Sequence, residues 1–444
     1  MGSSVRELAG ATPATRDRYI DLLRVASLGT VVLGHWLMAA VTADGVGNLL
    51  AVVPGLQLLT WALQIMPVFF FVGGFSHALS YRSLGRKQPA GSTDSVYSAF
   101  LRARLQRLLR PTMVFILVWG TAALIVQLLG GGGGLTGVTL RLVAQPLWFI
   151  GIYLAMVAFT PPLLKLHDRY GWGAFAGLAA AAVAVDVLRF AAGVPYIAFL
   201  NFAFVWLAVH QLGFLRADGR IRRPALLAGP GLAAAAALVA FGPYPLSMVG
   251  MPGEKISNMA PPTLALLCHG LWLVGAVELL RGPGARLVAR PRVWRGVVAA
   301  NGVAMTAFLW HLTAMLGVYG AMIALHVPLP EPATGAWWAQ VPVRIAVAAA
   351  VTAGLVAVFR TFERPVPAIP GKGSGPVSAL GVTLCLFGVL GVSMVGFGGL
   401  LEGHTAVLIA VRVSAPAAVA MALGGWLLVE RAGRGRRGGD GSPG

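Results

Sequence analysis

Apolar runs of about 20 residues recur along the whole chain, and that repetition limits what it can fold into. A helix needs about 20 mostly apolar residues to cross a hydrocarbon core about 30 Å thick. Such runs predict spans at 19–43, 56–81, 111–130, 142–164, 172–192, 196–215, 224–242, 262–280, 297–326, 338–360, 376–398 and 404–429. Only 11% of the residues are charged and 57% are hydrophobic, where a soluble domain carries about 25% charged. No stretch is long and polar enough to be a separate soluble domain. The expected fold class is all-α, a polytopic transmembrane helical bundle of about twelve helices.

The formal net charge is +19, which taken alone would suggest nucleic acid. Its distribution argues against that partner. With the spans above, 29 of the 34 Lys and Arg residues fall in alternate connections and termini. The other side holds only Arg141, Arg189, Lys255, Arg344 and Arg412. The positive-inside rule then puts both termini in the cytoplasm of a multi-pass plasma-membrane protein. The first 18 residues are polar, with Arg6, Arg16 and Arg18 and no apolar stretch. No cleavable signal peptide is therefore expected, and the first helix itself directs insertion. The two cysteines, Cys268 and Cys385, both lie in apolar runs and suggest neither a disulfide framework nor a thiolate metal site.

Polar residues inside the first span stand out. It reads Arg18-Tyr-Ile-Asp21-Leu-Leu-Arg24 and continues to Leu33-Gly-His35-Trp36. Arg24 and His35 are eleven residues apart, three turns plus about 20°, so they share one helix face. The rise sets His35 about 16 Å deeper than Arg24, near the membrane midplane. Asp21 lies one turn before Arg24 and can pair with it. Ionisable groups at this depth are costly and mark a pathway or site; a His tied to a neighbouring helix would be the structural alternative. A neutral imidazole can act as general base on an attacking hydroxyl. An Arg at the mouth can grip phosphate bidentately. A coenzyme A thioester fits both, with phosphates at one end and the acyl group at the other.

These residues resemble the first-helix motif of the acyltransferase-3 family, membrane-bound acyl-CoA-dependent acyltransferases of cell envelopes. Four later stretches are similar to its further motifs. They are Pro67-Val-Phe-Phe-Phe-Val-Gly-Gly-Phe75, the basic segment Arg102 to Pro111, Pro146-Leu-Trp148-Phe149, and Phe362-Glu363-Arg364-Pro365. The resemblance covers about residues 18–366. It implies an acyl group, acetyl by default, taken from cytoplasmic acyl-CoA and delivered to a hydroxyl. His35 would be the catalytic residue, Arg24 its partner with Asp21 beside it, and Glu363 a further functional acid. Two departures are visible. Gly73-Gly74 stands where many members have Ser-Gly, and two helices follow the ten-helix core without a soluble transferase domain.

The expected organisation is a cytoplasmic tail (1–18), a ten-helix acyltransferase core (19–366), an added helix pair (367–430) and a basic tail (431–444). Arg104, Arg107 and Arg110, with Arg102, could grip the CoA phosphates or form a basic amphipathic face on anionic lipid. Trp148 could pack on the donor or anchor its helix at the interface. Gly73 and Gly74 could admit the donor or allow close helix packing. Glu363 ends the tenth helix, where the dipole disfavours an acid, so a partner such as Arg364 is expected. Asp186, with Arg189 three residues on, could line an acceptor route or form a structural ion pair. His311, inside the ninth span, could contact donor or acceptor. His77, His210 and His269 read as interhelical hydrogen-bonding groups. His35, His311 and Glu363 could imitate a metal site, but no HExxH or similar spacing supports one. The expected function is O-acetylation of a carbohydrate or small-molecule acceptor. A twelve-helix secondary transporter is the alternative, although the two halves show no matching motifs. Oligomeric state is open.

Overall fold

The computed structural model describes residues 5–42, 45–87, 95–131, 133–251, 253–363, 375–408 and 411–432. It is almost entirely helical. Nine helical segments among the described residues are long and apolar enough to cross a membrane. A tenth is added if Leu264–Leu279 and Arg281–Ala289, bent by 53°, count as one span. The protein is a polytopic helical membrane protein.

The chain divides into two compact units. The first comprises Met1–Ala78 and Pro162–Arg360. In it α1 (Val5–Gly10) leads to α2 (Arg18–Met38), and a hairpin of β1 (Ala39–Thr42) and β2 (Gly45–Asn48) follows. A broken stretch comes next, α3 (Leu49–Val52), a 3-10 turn at Pro54–Leu59 and α4 (Thr60–Leu63), before α5 (Met66–Lys87). α5 continues into the second unit, which holds Leu79–Pro161 and Thr361–Gly444. That unit contains α6 (Val96–Leu128), α7 (Gly134–Leu142) and most of α8 (Pro146–Tyr170). The first unit resumes with α9 (Trp172–Phe190), α10 (Asn201–Ala217), α11 (Ala225–Phe241), α12 (Leu264–Leu279), α13 (Arg281–Ala289), α14 (Pro291–Asn301), α15 (Ala304–Ala324) and α16 (Gly335–Phe359). The second unit closes with α17 (Gly375–Val395), the hairpin β3 (Thr405–Leu408) and β4 (Val411–Ser414), and α18 (Ala415–Ala432).

Each of the twelve predicted runs contains a helix, but among the described residues only nine or ten meet the length and composition of a full crossing, and the local geometry differs from the prediction at several points. Within the last predicted span, Thr405–Leu408 and Val411–Ser414 pair as the β3–β4 hairpin, which leaves the 18-residue α18. α11 is apolar but only 17 residues long. The span predicted at 297–326 begins at Ala304, because α14 ends at Asn301 and Gly302–Val303 interrupt the helix. The basic segment before Pro111 is not a separate surface helix. It lies within the first half of the 33-residue α6, which carries Pro111 inside it. A proline is tolerated in a membrane helix when neighbouring groups re-satisfy the backbone. The carbonyl that loses its amide partner is that of Arg107, and one residue further on Thr112 Oγ1 adds a bond to Leu108 O at 2.7 Å.

Packing follows membrane rules, in which close van der Waals fit and small residues join helices. In the first unit an added Cβ on Gly231 of α11 would meet the Trp272 nitrogen at 2.6 Å and the Cys268 oxygen at 2.8 Å, both on α12. Phe70 of α5 and Trp206 of α10, neither with any exposure, pack with ring centroids 4.7 Å apart. The long connection 242–263 is stitched to the broken 54–65 stretch. Trp61 donates to Leu246 O at 2.9 Å, Gln64 to Met248 O at 3.2 Å, and Met248 N to Thr60 Oγ1 at 2.9 Å.

Candidate active site

The site is built on α2. Asp17 caps the helix and accepts from the Tyr19 and Ile20 amides at 3.2 and 3.4 Å. The capped first turn presents Asp21, which is buried. Arg16 reaches forward to it, with Nε at 2.5 Å from Oδ2 and Nη2 at 3.0 Å from Oδ1. That bond raises the Arg16 guanidinium above its ordinary pKa. Arg24 Nη1 also donates to Asp21 Oδ1, at 3.3 Å. The second Arg24 arm, Nη2, donates to Ser76 Oγ of α5 at 2.7 Å. Arg24 keeps about a quarter of its side chain exposed (26%). The carboxylate thus fixes one edge of the guanidinium while part of it stays open to a ligand.

Three turns deeper His35 meets a second histidine. His35 Nδ1 and His311 Nε2 of α15 are 2.8 Å apart, with ring planes 16° from parallel. His311 has no exposure, whereas His35 keeps some. Nδ1 of His311 is bonded to the Phe308 carbonyl, one turn back on α15. A carbonyl only accepts, so this nitrogen carries the proton. In neutral His311 Nε2 is then the acceptor, and His35 Nδ1 must donate to it. His35 Nε2 is left with a bare lone pair. Trp36 locks the register by donating from its indole to His311 O at 3.0 Å. Just above, Tyr319 donates to Ala39 O at 3.2 Å and accepts from Arg344 at 2.7 Å. Arg344 is buried against Trp337 and Tyr319 and also donates to Trp337 O.

The other predicted residues fall elsewhere. Gly73 and Gly74 are buried on α5. A Cβ on Gly74 would collide with the His210 carbonyl oxygen and lie 3.2 Å from the Gly213 Cα, so the close approach is to α10. Asp186 is buried in α9, and its oxygens accept from Asn201 Nδ2 and Tyr244 OH, each at 2.9 Å, and from the Leu264 amide at 2.8 Å. Burial first, and then the Asp186 charge, push the Tyr244 hydroxyl's pKa up and keep it a donor. This network ties α9, α10, the 242–263 connection and the first turn of α12 together.

Arg104, Arg107, Arg110 and Trp148 belong to the second unit. There Leu101, Leu105, Leu108 and Leu109 of α6 are buried while Arg102, Arg104, Arg107 and Arg110 stay partly or fully exposed. Trp148 is half-buried at the start of α8, edge-on to Phe149. Glu363 is buried at the end of the 3-10 turn Arg360–Glu363. Its expected partner Arg364 lies outside the described residues, as do Pro365 and the tail from residue 433.

Sequence reasoning missed Ser76, Arg16 and the direct contact between His35 and His311. It placed His77, His210 and His269 correctly as interhelical groups. His77 Nδ1 lies 3.0 Å from His210 Nε2, and His269 Nε2 lies 2.9 Å from Trp61 O. Among the described residues, His167, Asp168 and Asp218 come close enough to suggest a metal site. Both His167 nitrogens are engaged, however. Nε2 is 2.9 Å from Asp218 Oδ2, and Nδ1 is 2.7 Å from Gln211 Nε2, an arrangement that leaves no ring lone pair for a metal.

An acyltransferase domain of the acyltransferase-3 type matches residues 17–360, most of the chain. The chain belongs to the acyltransferase-3 family. It is a membrane-bound enzyme that transfers acyl groups. The matched stretch begins and ends close to the resemblance read at 18–366, and stops just short of Glu363. No curated protein and no solved structure matches this acyltransferase.

Proposed function

We propose that this acyltransferase moves an acyl group, acetyl by default, from cytoplasmic acyl-CoA to a hydroxyl of a carbohydrate or small molecule, with His35 as general base. The observation that carries the reading is the hydrogen-bonded His35–His311 pair on the same α2 face as Arg24. Phosphates of the donor sit at Arg24, and the pantetheine arm runs along α2 towards His35. The eleven-residue rise of about 16 Å separates charge from chemistry.

In the transfer, His35 Nε2 takes the proton of the acceptor hydroxyl as its oxygen attacks the thioester carbonyl. The carbon–sulfur bond then breaks, and the coenzyme A sulfur leaves with the proton that His35 returns. His311 holds the His35 Nδ1 proton and stabilises the imidazolium that forms in between. Asp21, backed by Arg16, and Ser76 set the Arg24 guanidinium. The route uses no metal. Arg104, Arg107, Arg110 and Trp148 are further candidates for holding the donor, Glu363 is a candidate further functional acid, and His311, buried behind His35, would act on the acceptor only through His35. The family favours this reading over the secondary transporter. Both termini are assigned to the cytoplasm of a plasma-membrane protein because the arginines gather at alternate connections, and an acceptor on a cell-envelope route is suggested by the family resemblance alone.

Thermal unfolding in lipid nanodiscs tests the donor site without knowledge of the acceptor. A ligand at 100 times its dissociation constant stabilises by about 2.7 kcal/mol when it binds only the folded state. Acetyl-CoA should raise the midpoint of the wild type, ATP should not, and Arg24→Ala should lose the shift. No shift with any acyl chain length, in folded protein, would overturn the donor assignment.

A further inference from the structure

The seven residues between α10 and α11 include Arg220-Ile-Arg222-Arg223. Beside them opens a cavity of about 490 Å³, formed by Arg220, Arg222, Arg223, Trp172, Leu226 and Leu227. Arg222 and Arg223 are exposed and pair with no carboxylate among the described residues. Arg220 Nε stands 4.0 Å from Asp218, whose Oδ2 is already taken up by His167. Two helices begin at this cavity, α9 at Trp172 and α11 at Ala225, and helix N-termini add positive potential. The ends of α8 at Tyr170 and α10 at Ala217 offset the two helix starts, and Asp218 offsets Arg220, so the surplus of positive charge at this space rests on Arg222 and Arg223.

The other half of the cavity is apolar. Trp172 is 38% exposed and Leu226 62% exposed, at the point where two apolar helices begin. Arg216, four residues before Arg220, lies 3.6 Å from the α2 cap Asp17 and 2.8 Å from Glu278. The cavity therefore lies towards the end of the first unit where Arg24 sits, at the level where spans leave the membrane. A free phosphate would satisfy the arginines and leave Trp172 and Leu226 bare. A phosphodiester headgroup with attached acyl chains meets both halves. The volume is many times the ~30 Å³ of a water and accommodates a glycerophosphate headgroup.

We propose that this cavity is a binding site for an anionic phospholipid, with the phosphate held by Arg220, Arg222 and Arg223 and the chains lying along Trp172, Leu226 and α11. The site is separate from the donor site built on Arg24.

The test uses the full-length protein in nanodiscs of phosphatidylcholine with and without phosphatidylglycerol. Tryptophan quenching by dibrominated phosphatidylglycerol is recorded for wild type, Trp172→Phe and Arg222→Ala/Arg223→Ala, alongside native mass spectrometry of retained lipid. Both arginines are exposed, so the double variant should fold, and an unchanged unfolding midpoint in pure phosphatidylcholine checks this. The expected result is one retained phosphatidylglycerol and a quenching component that Trp172→Phe removes. The double variant should bind that lipid at least tenfold more weakly and keep its acetyl-CoA shift. Equal retention by wild type and double variant would overturn the proposal. So would equal quenching by brominated phosphatidylcholine, or displacement of the lipid by millimolar inorganic phosphate. Loss of the acetyl-CoA shift in the double variant would assign the arginines to the donor instead and also overturn it.

Discussion

Nδ1 of His35 and Nε2 of His311 lie 2.8 Å apart, joining α2 to α15. The Phe308 carbonyl fixes the proton of His311 on the far nitrogen, so the whole relay has one direction. His35 is left as a donor at Nδ1 and a base at Nε2. Removing His35 should therefore abolish the transfer and spare the donor site. His35→Gln is expected to lower the rate of coenzyme A release by about 10²–10⁴-fold, while the acetyl-CoA thermal shift persists.

In the proposed mechanism His311 acts through His35 as a positioning residue. His311→Phe should keep the packing but leave the His35 Nδ1 proton without its acceptor. A loss of about 10–100-fold in kcat is expected, of the size seen when an outer partner that orients an imidazole is removed. Donor KM should move little. A pH–rate profile read in parallel should shift for His311→Phe and stay in place for a packing variant such as Phe308→Leu, whose backbone carbonyl is intact.

Arg24 and Ser76 should separate from the histidines in steady-state kinetics. A hydrogen bond to a charged group is worth about 1.5–3 kcal/mol. Arg24→Ala should therefore raise donor KM by about 10–100-fold, and Arg24→Lys should recover only part, because a lysine cannot hold Asp21, Ser76 and a phosphate together. Ser76→Ala loses one bond and should cost tenfold or less. Isothermal titration with acetyl-CoA gives the same ranking without turnover.

Gly74 and Asp186 make stability predictions. Gly74→Val would drive a side chain into the His210 carbonyl and should destabilise by about 1–3 kcal/mol through overpacking. Tyr244→Phe removes one of three donors to the buried Asp186 carboxylate and should cost about 1–3 kcal/mol. Both are read as thermal midpoints in nanodiscs. Tyr244→Phe should leave the acetyl-CoA shift intact.

Much of this was legible in the sequence because membrane helices carry their own signal. A 20-residue apolar run needs no partner to be recognised, and the 3.6-residue period alone puts Asp21, Arg24 and His35 on one face. Short apolar segments carry less. Ala39–Thr42 and Thr405–Leu408 form hairpin strands that composition cannot tell from helix ends. Pro111 suggested a boundary but lies inside α6. Long-range pairings left no local trace. Ser76 reaches Arg24 across 52 residues and His311 reaches His35 across 276, and only the folded chain brings them together. The close approach at Gly74 was open to two explanations until the backbone of α10 was seen against it.

The most direct test of the central claim is coenzyme A release from acetyl-CoA by membranes that contain the wild type or His35→Gln, with donor binding measured on the same preparations. Wild type should release the thiol, and His35→Gln should bind acetyl-CoA normally and release at least 100-fold less, as expected for a lost general base. Release at the wild-type rate by His35→Gln would contradict the account.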